Sequence, residues 1–336
     1  MPSSTSSSDP RDWAATWVAA LLLAGAALGA WELAWRARGF EPSVNDDRRL
    51  WAAARAGAAE GGRAAVAVVG SSRIQVAIDP GAFAEASGGR RPVQLALALG
   101  SSLPLLRDLA EDPEFRGCAI AEVNPRIFFD ATARLDRLVA RYLEAYRGRT
   151  LADRFEAPLR MRVQELLVSR QPALAPERLA QALAAGGWPE PPHVRVDRSR
   201  TRAADFQRLR DLAQRNRRTE LARARSRPVI LSGEALDRFL EGVEALVQRQ
   251  RAKGGEVVFL RLPTSGHILA DERLRVPRER SWDLLARRSS ALSIHFEDHP
   301  SLAAFTSPDG EHLDQRDAAA FTRALARILV EARALR

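Results

Sequence analysis

Residues 65–73 read AVAVVGSSR. Five small or β-branched apolar residues run without a break and stop at Gly70, and Ser71, Ser72 and Arg73 follow at once. A continuous apolar run closed by a glycine is the pattern of a strand buried on both faces of a parallel sheet. In open α/β sheets, chemistry collects just beyond the carboxyl ends of such strands. A serine in that place is a candidate nucleophile, provided a base can reach it.

Working outward, the pattern repeats. Residues 93–98 (VQLALA) and 118–123 (CAIAEV) are further apolar runs, the first followed by Gly100 and the second by Asn124-Pro125. Asp79-Pro80 opens a helix to about Ala86, since Asp caps well and Pro suits the first helical position. Helices are also expected over 48–59 and 104–111. Residues 257–262 (VVFLRL) and 292–296 (LSIHF) supply a fourth and a fifth strand, with helices over 233–253, 281–288 and 315–334 around them. Strand and helix alternate with short connections. That predicts an α/β fold, a five-stranded parallel sheet with helices on both faces.

Between the third and fourth strands the pattern changes. Residues 130–227 show no strand period, and a helical insertion is expected, with helices over 130–146, 151–169, 175–185 and 201–225. WPEPP at 188–192 breaks it, and 193–200 reads as a polar loop. Its arginines are expected on solvated helix faces with partners four residues away.

The amino terminus is organised differently. Residues 1–12 form a serine-rich polar tail. Residues 13–31 then carry no charge over 19 positions, flanked by Trp13 and Trp17 at one end and Trp31 and Trp35 at the other. A helix of that length reaches about 28 Å, close to the hydrocarbon thickness, with tryptophans where aromatic belts sit. We read residues 13–35 as an uncleaved anchor, residues 36–63 as linker and helix, and residues 64–336 as the main domain. The alternative is a cleaved signal peptide with Ala24-Gly25-Ala26 at the cut, although Arg11 and two aspartates make a poor leader. Arg36, Arg38, Arg48 and Arg49 after the helix outnumber Arg11 before it, which by the positive-inside rule places the main domain in the cytoplasm. Large domains translocate regardless of that bias.

The 51 basic residues against 42 acidic ones give a net charge of +9, but Lys253 is the single lysine and the arginines are interspersed with acids. No nucleic-acid partner is expected from that distribution. Cys118 is the only cysteine, which excludes an intrachain disulfide and a cysteine-based zinc site. His267, His295 and His299 lack metal-ligand spacing and are read as structural, with no metal. Gly70-Ser71-Ser72-Arg73 lacks the glycines and lysine of a phosphate loop, so no nucleotide cofactor is expected.

The base comes from the other end of the chain. Asp309 and His312 stand three apart, in a turn after the fifth strand and just before the last helix. That spacing lets the carboxylate hold one imidazole nitrogen and leaves the other free to take a proton from a serine. If the sheet is parallel, this turn lies at the same edge as Ser72.

These residues resemble the SGNH/GDSL hydrolase superfamily, over about residues 64–123 and 233–335. Its members carry a Gly-Asp-Ser-type motif after the first strand, a glycine after the second, an asparagine after the third, and an Asp-x-x-His pair before the last helix. Here Gly70-Ser71-Ser72 occupies the first position, with Ser71 where Asp is usual, as in membrane-anchored polysaccharide-modifying relatives. Gly100 stands for the second and Asn124 for the third, although Asn124-Pro125 departs from the usual Gly-x-Asn-Asp. Asp309 and His312 stand for the last. The resemblance implies an SGNH/flavodoxin-like sheet, with Ser72, His312 and Asp309 as the catalytic residues and Gly100 and Asn124 as oxyanion donors.

Arg73 and Arg261 are placed either to hold a carbonyl or anionic group of a substrate or to form ion pairs at the sheet edge. The resemblance implies a membrane-anchored esterase or O-acyltransferase acting on acyl esters of a cell-surface polysaccharide. Its partners would be membrane lipid and a membrane acyltransferase, and its main domain would lie outside the cytoplasm. The alternative is a non-catalytic, membrane-tethered scaffold on the same fold.

Overall fold

The computed structural model describes residues 10–132, 135–226 and 228–335. Contacts divide the chain into two units, one of Met1–Ser43 with Arg162–Pro192 and one of Val44–Met161 with His193–Arg336.

The larger unit is built on a five-stranded sheet. Its strands are β1 (Val66–Val69), β2 (Pro92–Gln94), β3 (Cys118–Glu122), β6 (Glu256–Arg261) and β7 (Leu292–His295), while β4 (Val194–Val196) and β5 (Arg202–Ala204) pair separately. The sheet order is β2-β1-β3-β6-β7, and every pairing in it is parallel. The five-stranded parallel sheet expected from sequence is present.

Alternation along each strand sorts its side chains into two cores. Ala67, Val69, Ala119, Ala121, Val257 and Phe259 face one of them, packed against Trp51, Leu106, Phe115, Val139 and Leu240 from helices and loops on that side. Val66, Val68, Ile120, Val258 and Leu260 face the other, against Ile74, Phe83, Phe321 and Leu325. Burial on both faces is why these strands read as unbroken apolar runs. The helices start where side chains cap them: Asp47 for Arg48–Glu60, Asp79 for Pro80–Ala86 and Asp314 for Gln315–Glu331.

Three differences from the sequence reading have local causes. The second strand is shorter than 93–98, because only Pro92–Gln94 hold strand geometry; the amides of Leu95 and Leu97 still donate to Val68 and Gly70 carbonyls, which preserves the apolar pattern. Two helices, Ser72–Ala77 and Gly266–Arg275, were not expected. The span 130–227 is not free of strands. β4 and β5 form an antiparallel hairpin whose turn is tied by Asp197, which accepts from Ser199 and Thr201 amides. Arg200, fully buried, locks that hairpin to the sheet edge by donating to Asp46 and to the carbonyls of Gln94 and Ala96. A three-residue strand is too short for a period to show, and here a buried arginine and a small apolar cluster of Val76, Val194, Ala204 and Phe206 hold it.

The neck of this region is narrow. Asp130 bridges Ile230, and the Leu231 amide donates to the Phe129 carbonyl at 2.9 Å.

In the smaller unit, one helix over Trp13–Ala37 is long and apolar enough to cross a membrane, with mean hydropathy 1.7. Leu21, Leu22 and Leu23 are about 70% exposed along it. At its end Trp35 packs with Phe40, Val168 and Leu174, and Glu32 accepts from the Ser169 amide at 3.0 Å.

Glycine at position 117 is a packing requirement. A Cβ there would lie 2.1 Å from the Ala65 carbonyl oxygen, inside the β1–β3 pairing, whereas one on Gly242 in helix Gly233–Ala252 meets nothing within 4 Å. Gly117→Ala is expected to lower stability by about 1–3 kcal/mol. Gly242→Ala is expected to raise it by up to about 1 kcal/mol. Urea unfolding of both variants, each in the full chain in detergent, checks the pair of opposite signs.

Candidate active site

The glycine that ends β1 is enforced by its surroundings. A Cβ on Gly70 would lie 2.5 Å from Cβ of Glu122, the last residue of β3. The chain turns there. Ser71 caps the next helix by accepting from the Arg73 amide at 3.3 Å, and Ser72 is that helix's first residue. The Ser72 backbone N–H therefore has no acceptor within the helix.

From the far end of the chain comes the loop after β7. Asp309 accepts from the amides of Glu311 and His312 at 3.0 and 2.8 Å, so the turn folds around its carboxylate. Its other oxygen takes the His312 Nδ1–H at 2.8 Å. His312 Nε2 then lies 2.9 Å from Ser72 Oγ, across 240 residues of sequence. With Nδ1 carrying the proton toward Asp309, Nε2 is the acceptor for the serine hydroxyl. Ser72, His312 and Asp309, singled out in the sequence, are thus brought together in one hydrogen-bonded line. Ser72 and His312 are partly exposed and Asp309 is buried. Burial raises the Asp309 carboxyl, but the His312 bond and charge and the two amides outweigh it and hold it at about 2.

The other expectations divide. Asn124, at the end of β3, lines a small recess with Gly70, Ser71, Gly100, Ile127 and Phe128, and its Oδ1 is buried without a hydrogen-bond partner. Gly100 borders the same recess, but its amide donates to the Leu97 carbonyl at 2.7 Å, closing a turn in which Leu99 sits at φ +62°. Its N–H, expected to serve an oxyanion, is engaged in that turn. A wider groove of about 590 Å³ lies against helix Arg48–Glu60 and contains none of these residues.

For Arg73 and Arg261 the structure shows the second of the two readings, ion pairs at the sheet edge. Both are under 5% exposed and both pair with Glu272, Arg73 at 2.9 Å. Arg261 also donates to Thr264 Oγ1 at 2.9 Å. Burial alone would raise the Glu272 carboxyl, and the two guanidiniums hold it at about 2. The two arginines form ion pairs beneath the site and make no surface for substrate.

The sequence reading missed several neighbours. Glu122 accepts from the Ser71 amide at 2.6 Å and hydroxyl at 3.0 Å; its signal was a lone acid closing an apolar strand. Helix Leu212–Arg225 reaches the turn that carries Asp309 and His312, with Asn216 donating to the Pro308 carbonyl at 3.0 Å and Arg223 pairing with Glu311. His193, at the start of the hairpin, lies within electrostatic reach of Asp309 and His312; burial and Arg215 push it below the usual histidine range. Nothing in the local sequence marks those three. Among the described residues no group of histidine, cysteine or carboxylate side chains is arranged to hold a metal ion.

No protein-family model matches this chain, and no curated protein matches it significantly.

Asp309 ties stability to acid. Its carboxyl is depressed from 3.8 to about 2, so the stabilisation it gives is fully present above pH 3.8 and is lost as pH falls through 2. Wild type is expected to exceed Asp309→Asn by about 2 kcal/mol at pH 5, and the gap is expected to close near pH 2. Urea unfolding of both proteins at a series of pH values checks it, and a gap that persists unchanged at pH 2 contradicts it.

Proposed function

We propose that this chain is a membrane-anchored serine acyl-esterase or O-acyltransferase of SGNH/GDSL type. Its substrates are acyl esters of a cell-surface polysaccharide. The observation that carries the chemistry is the unbroken line Ser72 Oγ–His312–Asp309, with links of 2.9 and 2.8 Å. Those distances are within the reach a nucleophile and its base require.

In the first step Ser72 Oγ attacks the ester carbonyl while His312 Nε2 takes its proton. Asp309 keeps the ring in the right tautomer and stabilises the imidazolium that forms. Negative charge develops on the carbonyl oxygen. We assign its stabilisation to the Ser72 N–H, at the first position of its helix, and to the side-chain amide of Asn124, which lines the recess beside Gly70 and Ser71. The ester C–O bond then breaks, His312 gives its proton to the departing alkoxide, and the acyl group stays on Ser72. Attack by water releases the acid, whereas attack by a sugar hydroxyl completes a transfer. His312 serves as base again in either case.

The polysaccharide substrate and a membrane acyltransferase partner rest on the resemblance of the Gly70-Ser71-Ser72 and Asp309–His312 motifs. An anchored enzyme of this kind acts outside the cytoplasm. We therefore place residues 44–336 on that side of the inner membrane, with the helix over Trp13–Ala37 as a single-pass anchor, its length and composition being the support.

Wild type in detergent is expected to cleave p-nitrophenyl acetate and to react with a fluorophosphonate probe at Ser72. Ser72→Ala is expected to lose both, and Asn124→Ala to lose on the order of 100-fold in kcat. An esterase rate unchanged in Ser72→Ala rules the assignment out.

A carboxyl-terminal alkaline phosphatase fusion is expected to be active, and a cytoplasmic reporter at the same position silent. The reverse pattern overturns the membrane side.

A further inference from the structure

Glu122 has no part in the proton relay, yet it is 3% exposed beneath the nucleophile turn. A carboxylate taken out of water at the end of an apolar strand must be held by strong partners. It has two, both on Ser71: the amide at 2.6 Å and the hydroxyl at 3.0 Å. The Ser71 Oγ already accepts from the Arg73 amide at 3.3 Å, so its own proton is left for Glu122. The approach is close. A Cβ on Gly70 would fall 2.5 Å from Glu122 Oε2, so only glycine admits the carboxylate here. Burial pushes the Glu122 carboxyl above its usual range, and Arg73, the two Ser71 bonds and Arg261 oppose that rise, so the two Ser71 bonds are part of what lets the group stay here. Ser71 is thereby fixed at backbone and side chain, and Ser72 is the next residue.

We propose that Glu122 is a positioning residue for the nucleophile, fixing Ser71 so that the Ser72 hydroxyl is held against His312 Nε2. This rests on Ser72 being the nucleophile, as proposed above. The Glu122 side chain bonds to Ser71 and not to Ser72, His312 or Asp309, so its action on the nucleophile runs through Ser71. Glutamine at this position keeps the size and one acceptor. Its amino group faces the Ser71 hydroxyl as a donor, so the hydroxyl must turn its proton away, that bond reverses, and the hold on Ser71 weakens.

The test compares full-length wild type, Glu122→Gln and Ser71→Ala in detergent. Three readouts are used: p-nitrophenyl acetate kinetics, the rate of fluorophosphonate labelling at Ser72, and thermal melting. For Glu122→Gln, kcat is expected to fall on the order of 10- to 100-fold, with labelling slowed in proportion. KM is expected to stay within about twofold and melting to stay cooperative. Ser71→Ala keeps the amide bond to Glu122 but loses the hydroxyl bond together with the cap on the Arg73 amide, and its kcat is also expected to fall. It carries the test alone if Glu122→Gln does not fold, and an undiminished kcat in Ser71→Ala then overturns the proposal. A lowered melting temperature with kcat and labelling per folded molecule unchanged shows a purely structural Glu122 and also overturns it. Failure of wild type to label at Ser72 is a separate result, which removes the nucleophile itself.

Discussion

Glu272 holds together what the chain keeps far apart. Its carboxylate, in helix Gly266–Arg275, takes Arg73 from the turn after β1 and Arg261 from the end of β6, with all three side chains under 5% exposed. Arg73 reaches further to Glu311, next to His312, and Glu311 in turn binds Arg223. A buried ion pair gains little over an apolar replacement, but breaking one leaves an uncompensated charge at a cost of about 3–5 kcal/mol. The cluster therefore acts as a constraint on geometry more than as a source of stability. It ties the segment carrying Ser72 to the segment carrying His312, and a 2.9 Å contact between those side chains depends on that tie.

The legible part of this arrangement is the part that rests on local pattern. Residues 66–69 read as a strand because both faces are covered, and the glycine after them could be seen as a stop. Asp309 and His312 are only three apart, so their mutual bond follows from spacing. Two such signals at the carboxyl edge of one parallel sheet are enough to bring Ser72 and His312 together.

What escaped the sequence depends on partners that no window contains. Arg73 meets Glu272 across 199 residues, and nothing beside Arg73 distinguishes an inward guanidinium from one facing substrate. Gly100 looked available because glycine suits a donor turn. Its amide is occupied only because Leu99 adopts a positive φ that a leucine rarely takes. The hairpin of β4 and β5 is pinned by Arg200, a residue whose charge argues for solvent when read alone.

The region between β3 and β6 leaves the sheet and returns to it through adjacent strands, closed at the neck by Asp130 and Ile230. A loop whose two ends are already hydrogen-bonded is nearly indifferent to its own length, each doubling costing only about 0.6 kcal/mol in closure entropy. The sheet therefore sets no limit on what this excursion contains, and extra chain can be accepted or shed there without disturbing strand register. The limits fall instead on the stretches that are pinned: Val139 in the core, the hairpin held by Arg200, and helix Leu212–Arg225, which must arrive in register to meet Pro308 and Glu311. Chain length is free to vary between those pinned stretches, while the position of that helix is tied to the Asp309–His312 turn.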